Sequence, residues 1–305
     1  MKLARYVFLA VPIVALGELV SHWYFSRRAP SNEAWQKAAP LMSAARHPED
    51  LVIVAPRWAE PVARQVLGDH VMPLRDVARP DESRYATALE ISILGQRDLA
   101  TRTWSELERR TVGKFELRRL GNPDPAHVGY DFVDHLEPGS ASVSLVDGAP
   151  KDCPWNAKAA PFAGGLGGAP AFPSTRFVCP AAMHLFAGVT VVEDQEYRPR
   201  RCVMMHAPDR GYVQAVFRNV PLGKEIRGHT GLRWIIERDL NGAPMTLEVL
   251  VGGEKLGDDV HLDGQGWKFW RFALGKHAGL REDVTFRVSS PSASRRQMCW
   301  EADSR

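Results

Sequence analysis

Five short runs in the last third of the chain alternate apolar and polar residues with a period of two: YVQAVFRNV (212–220), GLRWIIERD (231–239), PMTLEVLVGG (244–253), GWKFWRFAL (266–274) and DVTFRVSS (283–290). Successive side chains of a strand point to opposite faces, so each run predicts a strand with one buried side. Gly, Pro, Asn or Asp bounds every run, which supplies the turns of an all-β sandwich over 188–305. RCVMMHAP (201–208) and QMCWEA (297–302) frame the block as an early and a final strand. Within it, alternation sets Phe269 on the face opposite to Trp270.

The pattern is different before residue 122. SNEAWQKAAPLMSAAR (31–46) is Ala-rich with Ser31 or Asn32 placed to cap a helix, and DLVIVAP (50–56) reads as a fully buried strand. RWAEPVARQVLGD (57–69) predicts a helix ended by Gly68. ESRYATALE and TWSELERR predict further helices, and EISIL and KFELRRL further strands. Helices alternating with short apolar strands give a small α/β domain over 30–122, closed by the helix- and strand-breaking GNPDP. Residues 123–187 predict a Gly/Pro-rich connection with one strand, SASVSLVDG (140–148). Its AGGLGGAP (163–170) lacks the flanking strand, the helix and the Lys-Ser/Thr pair of a phosphate loop, and predicts a plain loop. The fold class expected is α+β overall: an N-terminal transmembrane helix, a small α/β domain and a C-terminal jelly-roll sandwich.

The transmembrane expectation rests on residues 1–29. Tyr6 to Phe25 is a mostly apolar run preceded by Lys2 and Arg5 and followed by Arg27 and Arg28. About 20 helical residues span roughly 30 Å, the thickness of the hydrocarbon core. Trp23 and Tyr24 fall where an interfacial aromatic belt sits, whereas Pro12, Glu18 and His22 interrupt the apolar text. A signal anchor is the preferred reading, and a signal peptide cleaved near Ala15-Leu16-Gly17 is the alternative.

Composition narrows the classes. The 305 residues carry a net charge of only +3, with 39 basic and 36 acidic residues interspersed, so no concentrated basic face for nucleic acid is expected. The four cysteines, 153, 179, 202 and 299, form no CxxC pair, which argues against zinc. The bridges expected are Cys153–Cys179, closing a loop of about 27 residues, and Cys202–Cys299, joining the framing strands. Disulfides imply an oxidising compartment, so the localisation expected is single-pass in the inner (cytoplasmic) membrane with the folded domains periplasmic.

The common catalytic motifs are missing: no GxSxG, no HExxH, no Walker loop. His206 with Asp209 could form a base and its orienting acid, but a structural hydrogen bond is the preferred reading and no catalytic residue is assigned. GDDVHLDGQGW (257–267) gathers Asp258, Asp259 and Asp263 at a turn beside His261, a set able to offer oxygens to calcium or simply to build a hairpin. Trp155, Trp267 and Trp270, with His206, are candidate ligand-binding residues, since aromatic rings stack on the apolar faces of pyranoses.

Two resemblances follow from these texts. The Trp35 helix, DLVIVAPRWAEPVARQVLGD and RPDESRYATALEIS resemble the soluble extracytoplasmic region of bacterial membrane glycosyltransferases of the dolichyl-phosphate-mannose protein mannosyltransferase type, over residues 31–120. One hydrophobic segment instead of many leaves no catalytic position to carry over, so the resemblance implies an accessory or binding part. The sandwich, with its strand number and terminal-strand bridge, resembles the galactose-binding-like jelly roll, which hosts carbohydrate- and protein-binding modules. The expectation is a membrane-anchored binding protein for a glycan or an envelope protein partner. An envelope glycan hydrolase or transferase is the alternative, and a structural subunit the next.

Overall fold

The computed structural model describes residues 2–160, 172–180 and 182–305, the side chains of 2–9 and 25 excepted. The expected loop at 163–170 lies outside the described residues. Two compact units are formed, one by residues 1–77 with 82–125, the other by 78–81 with 126–305.

The first unit begins with helix α1 (Lys2–Arg28), 27 residues long with Pro12 inside it. The ends of the expected span Tyr6–Phe25 fall among side chains outside the description. No helix among the described residues is long and apolar enough to cross a membrane. Helix α2 (Asn32–Ala45) is capped by Ser31, whose hydroxyl accepts from the Ala34 amide. Strand β1 (Leu51–Ala55) precedes helix α3 (Glu60–Val71) and the single turn α4 (Leu74–Val77), and β2 (Thr87–Ile93) then returns parallel to β1. Strands β3 (Ser105–Val112) and β4 (Phe115–Gly121) complete a sheet ordered β1-β2-β4-β3. Trp35, Met42, Ala63 and Leu67 of the helices pack on Val54, Ile91 and Phe115 of the sheet. Leu51, Ile53 and Trp104 fill its other face, which is why LVIVA shows no alternation.

Two expected helices here are strands or turns. The SELERR part of TWSELERR lies in β3, whose charged side chains are exposed along a sheet edge; pairing with β4 overrides its helix-forming composition, and the charges discourage further pairing. ESRYATALE is a turn at Glu82–Tyr85 followed by β2.

The second unit is a sandwich that starts at Ala126, not at 188, because the stretch expected as a connection supplies five of its strands: β5 (Tyr130–Asp131), β6 (Ala141–Asp147), β7 (Ala149–Cys153), β8 (Trp155–Asn156) and β9 (Arg176–Val178). The chain continues through β10 (Phe186–Glu193), β11 (Pro199–His206), β12 (Tyr212–Pro221) and β13 (Glu225–Gly231). Then follow β14 (Met245–Val251), β15 (Glu254–His261), β16 (Lys268–Ala273), β17 (Arg281–Ser289) and β18 (Gln297–Ser304). GLRWIIERD, expected as a strand, is a turn leading into the one-turn helix α5 (Trp234–Glu237), which buries Ile236 and Glu237 while Ile235 stays exposed.

One sheet runs β16-β13-β18-β11-β10-β9-β8 with β5 beside β18; the other runs β15-β14-β17-β12-β6-β7. From β10 onward the chain passes repeatedly between them, so each sheet's inner face meets the other's. Val203, Met205, Ile226, Trp270 and Trp300 face Phe217, Val249, Phe286 and Val288, and Trp300 stacks on Phe286 at 4.3 Å. Both expected disulfides are present. Cys153–Cys179 ties the second sheet to the first, and Cys202–Cys299 joins neighbouring β11 and β18 on the outer face.

Candidate ligand-binding face

Alternation along β13, β16 and β18 decides which side chains reach the outer face of the larger sheet. Ladder pairs set His229 opposite Phe269 on one side and Glu301 on the other. Because Trp270 and Trp300 point into the core, their neighbours Phe269 and Glu301 must point out. Trp267 arrives from the β15–β16 loop and lies parallel to the His229 ring, centroids 5.5 Å apart with 7° between planes. The Arg200 guanidinium stands 5.4 Å over Trp267, and Arg227 stands 6.0 Å over Phe269. Phe269 is tilted against His229 at 5.3 Å. The result is a continuous row, Arg200–Trp267–His229–Phe269–Arg227, of which Phe269 is 47% exposed.

The row is held from both ends and from beneath. Arg200 donates through Nε to Asp194 at 2.8 Å, and Arg227 pairs with Asp81 at 3.2 Å. His229 Nδ1 and Glu301 Oε1 lie 2.6 Å apart, a hydrogen bond between a largely buried ring and a buried carboxyl. Burial drives the Glu301 pKa above its ordinary 4.5, against the opposing effect of His229; the nearby charges of Asp303 and Asp131 push it up further. Burial also pulls the Arg200 pKa down from its ordinary value, against Asp194.

The other carboxylates of this face are already engaged. Asp303 accepts two hydrogen bonds from Arg305, at 2.6 and 2.8 Å, and Asp131 accepts from the Val133 and Asp134 amides.

Of the residues the sequence singles out, only Trp267 belongs to this row. Trp270 is a core residue, buried with its ring 5.3 Å from Phe272. Trp155 is half-buried, edge-on to Phe177 at 4.9 Å. His206 is buried at the end of β11, its Nδ1 2.6 Å from the Ala207 carbonyl oxygen; burial lowers its pKa, as the nearby His184 also does. The expected calcium triad is not assembled. Asp258 pairs with Lys255 at 2.8 Å, and Asp259 lies 2.7 Å from both Thr230 and Lys268. Asp263 pairs with Arg296 at 2.7 Å and accepts from the Gly242 amide. Adjacent strand positions send Asp258 and Asp259 to opposite faces, and a cation of the chain already meets each of the three. Among the described residues no group of three His, Cys, Asp or Glu side chains could hold a metal ion.

No family model matches the chain, and no curated protein matches it. The glycosyltransferase resemblance of residues 31–120 thus finds no support. Solved structures similar to parts of the chain include carbohydrate-binding modules. A CBM51 from Clostridium perfringens GH95, in complex with methyl-galactose, is 12% identical over 38% of this chain and 81% of its own, with a TM-score of 0.28. A Caldicellulosiruptor saccharolyticus CBM27-1, in complex with mannohexaose, is 14% identical over 38% and 80%, with a TM-score of 0.27. The tandem CBM51 modules of Sp3GH98 from Streptococcus pneumoniae are 9% identical over 64% and 57%, with a TM-score of 0.31. Likenesses this distant decide nothing about a ligand.

Proposed function

We propose that the protein is a membrane-anchored, periplasmic binding protein whose sandwich recognises a glycan through the outer face of its larger sheet. The single observation that carries this reading is Phe269: a large ring left half-exposed on a sheet, backed by a locked row of rings and guanidinium groups. A pyranose offers an apolar C–H face to such a ring and hydroxyls to its neighbours, and a preformed surface lowers the ordering cost of binding. Arg271, directly opposite Arg227 in the ladder and exposed, extends the donors beside Phe269. The anchoring part of the reading rests on the mostly apolar run Tyr6–Phe25 of the sequence, and the periplasmic side on the two disulfides.

A glycan array probed with the full-length protein tests the reading. Binding to a defined set of glycans that disappears in F269A is expected. Array binding that is the same with and without the Phe269 ring would overturn it, and so would a blank array.

A further inference from the structure

A second aromatic pair stands apart from that row, on the connections between strands. Tyr197 sits at the tip of the β10–β11 turn, 67% exposed, with a backbone φ of 59°. That left-handed region is unfavourable for a bulky L-residue and ordinarily goes to Gly or Asn. The turn around it is closed by hydrogen bonds to Asp194. Buried Asp194 accepts through Oδ1 from the Glu196 and Arg198 amides, both at 2.9 Å, and through Oδ2 from Arg200. The Asp194 carbonyl accepts from the Tyr197 amide and the Asp194 amide donates to Arg198, each at 3.0 Å. The Tyr197 ring lies 5.1 Å from Trp234 at 52°, and the Arg238 guanidinium is 4.6 Å over the Trp234 ring.

We infer that Tyr197 and Trp234 form a second glycan-binding platform that takes a pyranose unit of a polysaccharide. A large residue in the left-handed region costs stability, and Tyr197 adopts it with its ring two-thirds in solvent. The same two connections carry groups able to donate to and accept from hydroxyls: Arg198 and Glu196, 2.7 Å apart, flank Tyr197 in the chain, and beyond Trp234 Asp239 lies 3.8 Å from Arg238 and 3.2 Å from Arg295. The exposed Leu240 and Leu262 offer no such groups and lie outside the platform.

The test is retention of the full-length protein by mannan, galactan, xylan and chitin, measured for wild type, Y197G, Y197W and F269A. The expected result is at least a tenfold loss of affinity for the retained polysaccharide in Y197G, with its melting temperature held or raised, and binding kept in Y197W. Y197G binding as wild type does, or losing binding only together with a lower melting temperature, would overturn the inference. Loss in Y197G with unchanged binding in F269A would leave this platform standing while the Phe269 reading falls. No retention of wild type by any of the four polymers overturns the platform.

Discussion

At the residue scale the decisive contrast is between neighbours. Phe269 and Trp270 are adjacent and similar in chemistry, yet one is half-exposed beside two arginines and the other is core. Alternation alone separates them, and that much was legible in the sequence. The partners of Phe269 were not: His229 and Glu301 lie 72 positions apart, and only the β13–β18 register brings them to 2.6 Å. Glu301 also carries a pH signature. Folding raises its pKa above 4.5, so the folded state holds that proton more tightly than the unfolded chain does. Its contribution to stability is complete below pH 4.5 and is lost as the pH rises through the folded value. Thermal melts from pH 4 to 8 are therefore expected to show E301Q gaining on wild type as the pH rises. Parallel curves for the two proteins would contradict the assignment.

At the element scale, close strand approach positions the site. Gly228 lies in the middle of β13, and a Cβ there would come within 2.0 Å of the Glu301 carbonyl oxygen and 2.9 Å of Ala302 Cα, both backbone atoms of β18. No side-chain rearrangement relieves such a clash, so G228A has to push the strands apart. A loss of about 2–4 kcal/mol in denaturant unfolding is expected, with the His229–Glu301 contact broken. A loss below about 1 kcal/mol would mean that β13 and β18 are looser than the ladder implies. The same scale explains the misread elements. β3 reads as a helix because Glu, Leu and Arg favour one, but its place is set by pairing with β4. GLRWIIERD has strand-like residues, but burial of Ile236 together with Glu237 needs a helical turn. Strands β5 to β9 are short and turn-rich, and their membership in the sandwich comes from non-local pairing that no local pattern announces.

At the scale of the whole molecule, the sandwich is pinned by two covalent links that the cysteine spacing made legible. Cys202–Cys299 closes 97 residues of chain, and its removal by paired alanine substitutions is expected to cost about 2–4 kcal/mol, since the unfolded chain regains that freedom. A melting temperature unchanged by the double substitution would contradict that role. The bridge packs with Phe172, Phe186 and Met204 on the same outer face as the aromatic row, so the face proposed for the ligand belongs to a stiffened sheet. Asp258, Asp259 and Asp263 are close in sequence, but the fold gives each a cationic partner of its own.

The central claim is that this face binds a glycan through Phe269. Calorimetric titration of the strongest array ligand into wild type and F269A tests it most directly. The account predicts at least a tenfold weaker affinity in F269A, with stability lowered by about 1 kcal/mol or less because the ring is half in solvent. Equal affinities for the two proteins would contradict it.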